Sequence, residues 1–95
     1  MRESIEKYVE QVKNVIREDH DAKQYFHGFE VTVEYGRKYA KVIVDRAAHS
    51  FVDMETGDIY KPAGWNGRAK HVRGSILSET NGKEALEASG CVRYL

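Results

Sequence analysis

Phe29-Glu30-Val31-Thr32-Val33-Glu34-Tyr35-Gly36-Arg37-Lys38-Tyr39-Ala40-Lys41-Val42-Ile43-Val44 is the stretch that decides the fold. Phe29, Val31, Val33 and Tyr35 alternate with Glu30, Thr32 and Glu34, the period-2 signature of a strand with one wet face. Gly36-Arg37 fits the centre of a type II′ turn, in which glycine comes first. Lys38 to Arg46 then resumes a β-rich run with Ala40, Val42 and Val44 on one face. The stretch predicts an antiparallel hairpin, with Tyr39, Lys41, Ile43 and Asp45 turned the other way beside Glu30, Thr32 and Glu34. That second face is mixed and reads first as solvated, second as a docking surface.

Toward the C-terminus, Asp45 to Ala48 reads as a connection and Ser50 to Met54 as a third strand. Glu55-Thr56-Gly57-Asp58 reads as a tight turn that needs a positive φ at Gly57, and Ile59 to Lys61 as a fourth strand. Toward the N-terminus, Ile5, Tyr8, Val9, Val12, Val15 and Ile16 form the stripe of an amphipathic helix from about Glu3 to about Lys23. Pro62 to Gly74 contains Gly64, Gly67 and Gly74 and no periodicity, so it reads as a long loop. Ser75 to Leu77 suits a short strand, and Thr80 or Asn81 suits the start of a short helix through Ala88, ended by Gly90. Val92, Tyr94 and Leu95 alternate and could pair at a sheet edge, which would allow a dimer by edge addition. The expected architecture is a single α+β domain over residues 1–95. Its N-terminal helix packs on a four-stranded antiparallel meander, followed by a basic loop and a short C-terminal helix.

The 95 residues are 41% hydrophobic and 32% charged, too apolar for disorder throughout and too charged for a membrane-spanning helix. Lys plus Arg and Asp plus Glu each number 15, so net charge argues for no class of partner. One cysteine, Cys91, permits no internal disulfide and no Cys-based zinc site. With no apolar segment of signal-peptide type near Met1, the expected compartment is the cytoplasm.

The balanced total conceals a division. Residues 1–36 carry five basic and eight acidic residues, a net of −3, and residues 37–95 carry ten and seven, a net of +3. Residues 59–78 hold Lys61, Arg68, Lys70 and Arg73, with His71 among them, and neither Asp nor Glu. Glycines that let backbone N–H groups approach an anion, beside fixed cations, are what phosphate binding needs. Trp65 and Tyr60 add aromatic faces on which bases can stack. Lys61, Arg68, Lys70, His71, Arg73, Trp65 and Tyr60 are therefore the candidate nucleic-acid-binding residues, and single-stranded DNA or RNA the expected partner. The competing reading makes Trp65 a plug at one end of the core and the cations the solvated rim of a loop.

Other constellations carry less. His20 with Asp19 and Asp21, and His49 with Asp45 and Asp53, match no metal motif, and no metal or cofactor is expected. Asp53 stands before a turn, where a carboxylate commonly accepts backbone hydrogen bonds. Ser50 and His49 are neighbours on a strand and so should point to opposite faces, which argues against a nucleophile and its base. Cys91 reads as a small buried residue. No enzymatic activity is expected.

Phe51-Val52-Asp53-Met54-Glu55-Thr56-Gly57-Asp58-Ile59-Tyr60-Lys61-Pro62-Ala63-Gly64-Trp65, continuing as Ala69-Lys70-His71-Val72-Arg73-Gly74-Ser75-Ile76, resembles small, largely uncharacterised proteins of bacteriophages and prophages. The likeness covers about residues 35–77. It implies an accessory phage protein in a bacterial host cytoplasm, acting by binding, and assigns no residue a catalytic role. Nucleic acid held by residues 59–78 is one expectation. The alternative is an inhibitor of a host nucleic-acid-processing or defence enzyme, in the manner of an anti-CRISPR protein, presenting Glu3, Glu6, Glu10, Glu18, Asp19 and Asp21 of the helix to a basic groove.

Overall fold

The computed structural model describes residues 1–23 and 28–92. Helix α1, Arg2–Ala22, is followed by strands β1 (Val31–Tyr35), β2 (Tyr39–Val44), β3 (Ala47–Asp53), β4 (Asp58–Gly64) and β5 (Gly67–Ser75), and by a 3-10 turn, Lys83–Ala85. The strands form one sheet in sequence order, antiparallel throughout. Two sequence expectations are corrected here. The meander has five strands rather than four, because the Pro62–Gly74 stretch is paired β structure and not a loop. The C-terminal helix is a single 3-10 turn: Gly82 stands at φ +91°, and Leu86 returns to an extended backbone to bridge Val92. Residues 93–95, the rest of the anticipated edge strand, lie outside the described residues.

Apolar spacing explains α1. Ile5, Tyr8, Val9, Val12 and Ile16 are buried against the sheet. Pairing of Val33 with Val42, Tyr35 with Ala40, Ala40 with Val52 and Val52 with Ile59 puts one parity of four strands on that inner face. Ile76, Ala85, Leu86 and Val92 close the core from the C-terminal side. The fit is tight where the chain turns. Gly90 has φ +92°, and a Cβ there would come 2.4 Å from Ile16 Cγ1. At Gly82 a Cβ would come 2.6 Å from Ile59 Cδ1.

The turns differ from expectation in instructive ways. Gly36 does not take a positive φ, so the β1–β2 connection is a three-residue loop, 36–38, closed by Gly36 N–H donating to Tyr39 O at 2.9 Å, and not a type II′ turn. The β2–β3 connection is only Asp45-Arg46, both left-handed at φ 47° and 72°, the conformation of a type I′ turn built without glycine. Asp45 is secured on both sides: its N–H donates to Glu30 O, and its Oδ1 accepts from Glu30 N at 2.8 Å. Strand β3 therefore begins at Ala47 rather than Ser50. The Glu55–Asp58 turn follows its sequence signal, with Gly57 at φ +80° and Asp53 Oδ1 accepting from the Glu55 and Thr56 N–H groups.

Strand β3 pairs with β4 only through Phe51–Tyr60 and Val52–Ile59. Beyond Tyr60 the β4–β5 hairpin continues as a two-stranded arm, which is where Pro62 can sit without breaking a ladder. Three register irregularities interrupt the arm, after Ile59, Tyr60 and Pro62. Bulges bend and over-twist a ribbon, and this one curls across the outer face of the sheet until Trp65, at its tip, meets Lys41 of β2.

Candidate functional site

The outer face that α1 leaves uncovered is built from the parity opposite to the core: Tyr39 and Lys41 on β2, Phe51 on β3, Tyr60 on β4. Cross-strand pairing sets Lys41 opposite Phe51 and Phe51 opposite Tyr60. The rings meet edge to face, Tyr39 with Phe51 at 6.4 Å and with Tyr60 at 6.3 Å between centroids, the preferred aromatic geometry. Cations lie over them. Arg68 Cζ is 4.1 Å from the Tyr60 centroid, and Lys41 Nζ is 3.8 Å from the Trp65 centroid. Contacts of this kind contribute from about 0.5 to 2 kcal/mol, more as water is excluded. Phe51, Tyr60 and Lys41 are buried, so this face is a second, cation-containing core under the arm and not an open platform.

The sequence-predicted site residues separate into groups. Tyr60, Trp65 and Arg68 come together, but in unlike roles. Tyr60 is covered. Arg68 donates from Nε to Tyr39 Oη at 2.8 Å and from Nη1 to the carbonyls of Ala69 and Lys70, so it fastens β5 across the aromatic face. Trp65 is 46% exposed at the arm's tip, neither a plug in the core nor free of contacts. Lys70 and His71 are exposed on β5, and Arg73 is half-buried. Lys61 turns away: its Nζ donates to Val92 O at 3.4 Å on the far side of the arm.

Basic residues that sequence reasoning passed over complete the picture. Arg37 and Lys38 are exposed on the β1–β2 loop, and with Lys41 they line a groove of about 350 Å³ beneath the arm's tip, with Asn66 on its other wall. The signal was present as the parity shared by Tyr39 and Lys41. What hid it was the reading of residues 62–74 as a loop, which gave no reason to place Trp65 over β2.

A second polar constellation lies inside. The bulge between Val42 and Ile43 makes His49 the extra residue of β3, opposite no partner. Local alternation is lost, so His49 Nδ1 and Ser50 Oγ meet at 2.9 Å, against the expectation that they face apart. Tyr8 Oη stands 2.9 Å from the same Ser50 oxygen, and His49 Nε2–H donates to Gly90 O at 2.6 Å. One proton arrangement satisfies the whole chain: Tyr8 O–H to Ser50, Ser50 O–H to His49 Nδ1, His49 Nε2–H to Gly90. Burial lowers the His49 pKa, with the Gly90 bond opposing and Lys61 reinforcing, and burial raises that of Tyr8. Ser50 and Tyr8 are fully buried, and this chain ties α1, β3 and the C-terminal segment together. Beside it, Cys91 is exposed rather than buried. Among the described residues no group of three or more His, Cys, Asp or Glu could hold a metal ion, and no helix is long and apolar enough to cross a membrane.

One helix laid on a five-stranded antiparallel meander, with a basic arm folded over the free face, defines a small α+β domain. The chain belongs to a family of unknown function, DUF7717, whose model matches residues 1–95. No curated protein and no solved structure matches it.

Proposed function

We propose that the protein binds single-stranded nucleic acid across the tip of the β4–β5 arm and the neighbouring β1–β2 loop, as a phage-type accessory protein would in a host cell. Trp65 is the observation that carries this reading. The chain's one tryptophan stands nearly half exposed at the end of an arm free of Asp and Glu, against Lys41 and next to Asn66, which lines the groove together with Arg37, Lys38 and Lys41. A half-exposed ring at a basic tip suits one that stacks on a base while cations hold the adjoining phosphates. Lys70 and His71 extend the basic run along β5. The residues retained from the sequence reading are thus Trp65, Lys70 and His71, with Arg37, Lys38 and Lys41 added; Arg68 and Tyr60 support them from beneath.

The acidic-mimic reading finds less support. Along α1, Glu10 is paired with Lys13 at 3.3 Å and the half-buried Asp19 with Lys23 at 3.2 Å, while Lys7 stands between Glu6 and Glu10, so no continuous acidic strip runs along the helix. Fluorescence anisotropy with labelled single- and double-stranded oligonucleotides tests the proposal. Binding is expected to favour the single strand and to be weakened by Trp65→Ala in a protein that retains its circular dichroism spectrum. Equal binding of duplex and single strand, or none at ~50 mM salt, would refute it.

A further inference from the structure

We propose that the groove between the β1–β2 loop and the arm's tip is a phosphomonoester subsite, anchored by Lys41, with the Trp65 ring beside it against that lysine. It resolves the nucleic-acid reading above to one chemical group: the terminal phosphate of a strand, or that of a free nucleotide.

The argument begins with Lys41. Its side chain is only 10% exposed, a costly position for an ammonium group unless it is well paired. Its carboxylate partner, Glu34, is two-thirds exposed and stands 3.8 Å away, near the limit of an ion pair and too long for a hydrogen bond. Two rings also lie near it, Trp65 at 3.8 Å and Phe51 at 6.0 Å, which attract a cation but cannot accept its N–H bonds as an oxygen does. A largely buried cation is therefore held in place without a hydrogen bond to another of the described residues, on the wall of a groove where an anion can reach it.

The remaining lining fixes the class of ligand. Arg37, Lys38 and Lys41 face the groove with Glu34 as its one carboxylate, a net of +2. A phosphomonoester carries close to two negative charges at neutral pH, whereas an internal phosphodiester carries one. Arg37 supplies a planar fork of donors suited to phosphate oxygens, and the two lysines supply point charge. An aromatic group attached to that phosphate would meet the Asn66 amide on the groove wall and, beyond the lining, the exposed Trp65 ring that lies against Lys41. Charge, donors and ring together describe a nucleotide bearing a terminal phosphate. The anion would take over Lys41 from Glu34, so Glu34 acts as a resident competitor.

Trp65, as the single tryptophan, makes the test direct. The full chain is titrated with adenosine, adenosine 5′-monophosphate, inorganic phosphate, and one ~10-nucleotide strand prepared with and without a 5′-phosphate, while intrinsic fluorescence and anisotropy are followed. The monophosphate is expected to change Trp65 emission at concentrations where adenosine does not, and the 5′-phosphorylated strand to bind at least fivefold more tightly than the unphosphorylated one. A preference for the phosphorylated strand without a response to the mononucleotide would assign the site to strand ends; the reverse would assign it to free nucleotides. Lys41→Gln should weaken binding of the phosphorylated ligand about tenfold or more. Glu34→Gln, at an exposed position that folding tolerates, should strengthen it by up to roughly fivefold. Indifference to the phosphate on both the strand and the mononucleotide, or a Glu34→Gln protein that binds no better, overturns the subsite. If the unphosphorylated strand still binds in a salt-dependent way in that case, the broader reading stands; if no strand binds, both fall.

Discussion

Replacing Arg37 and Lys38 together by alanine should halve the salt dependence of single-strand binding. Four fixed cations border the proposed path: Arg37 and Lys38 on the β1–β2 loop, Lys41 in the groove, Lys70 on β5. Each phosphate neutralised on a single strand contributes about −0.7 to the slope of log K against log salt, so four contacts give a slope near −2.8 and two give about −1.4. Between ~50 and ~200 mM salt the parent should lose roughly 50-fold in affinity and the double variant only about 7-fold. Both residues are exposed on a loop closed by a backbone bond from Gly36 to Tyr39, so stability should move by no more than about 0.5 kcal/mol. The assay is anisotropy on a labelled strand at four or five salt concentrations, with a urea melt of each protein as control. A double variant whose slope equals the parent's would show that Arg37 and Lys38 touch no phosphate. A parent slope near zero would remove the electrostatic reasoning altogether.

Two further outcomes concern the frame that holds the site. Tyr8→Phe removes one member of the buried Tyr8–Ser50–His49 chain while leaving the ring in place, and should lower the urea midpoint by the equivalent of about 1 kcal/mol with nucleic-acid binding unchanged; an unaltered midpoint would deny the chain its structural role. Burial pushes the Glu84 carboxyl up, but the Thr80 hydroxyl, the Ser75 N–H and the Ser78 hydroxyl outweigh it and hold it at about 2, against 4.5 unperturbed. The unfolded chain thus binds the extra proton first, so this stabilisation is complete above about pH 4.5 and is lost as pH falls toward about 2. Glu84→Gln should flatten the stability profile over that window, and an identical profile would refute the assignment.

How far the sequence could be read depended on which force dominated locally. Helix α1 and the inner parity of β1 and β2 were legible because burial leaves a periodic record: Ile5 to Ile16 on one helical stripe, Val31 to Val44 on one sheet face. The Asp53 turn was legible because Gly57 and an Asx carboxylate are specific local signals. The β4–β5 arm was not. Bulges shift parity wherever they occur, so residues 59–75 show no alternation even though all but Trp65 and Asn66 lie in strands, and Pro62 and the glycines imitate a loop. The Asp45-Arg46 turn escaped because it makes a left-handed pair without glycine, its cost met by the two bonds between Asp45 and Glu30. For the same reason, half of the site was missed. Composition pointed to a basic stretch with a tryptophan, but only the curl of the arm brings that tryptophan to Lys41, Arg37 and Lys38, and sends Lys61 to the opposite side.

The two faces of the sheet follow different physical rules, and the difference bears on function. The inner face is filled by Ile5, Tyr8, Val12, Val42, Val52 and Ile59, with close contacts at Gly82 and Gly90 that leave no room even for a methyl group. A surface so tightly packed can change little without loss of stability. The outer face is held by cations over rings, contacts that are weakly directional and tolerate small displacements. Arg68 locks the base of the arm to Tyr39 and Tyr60, whereas the tip is held chiefly by Trp65 against Lys41. An incoming phosphate that takes Lys41 from Glu34 and a base that takes Trp65 would act on the part of the molecule whose rearrangement costs least, while the helix, the inner core and the Tyr8–Ser50–His49 chain keep the scaffold fixed.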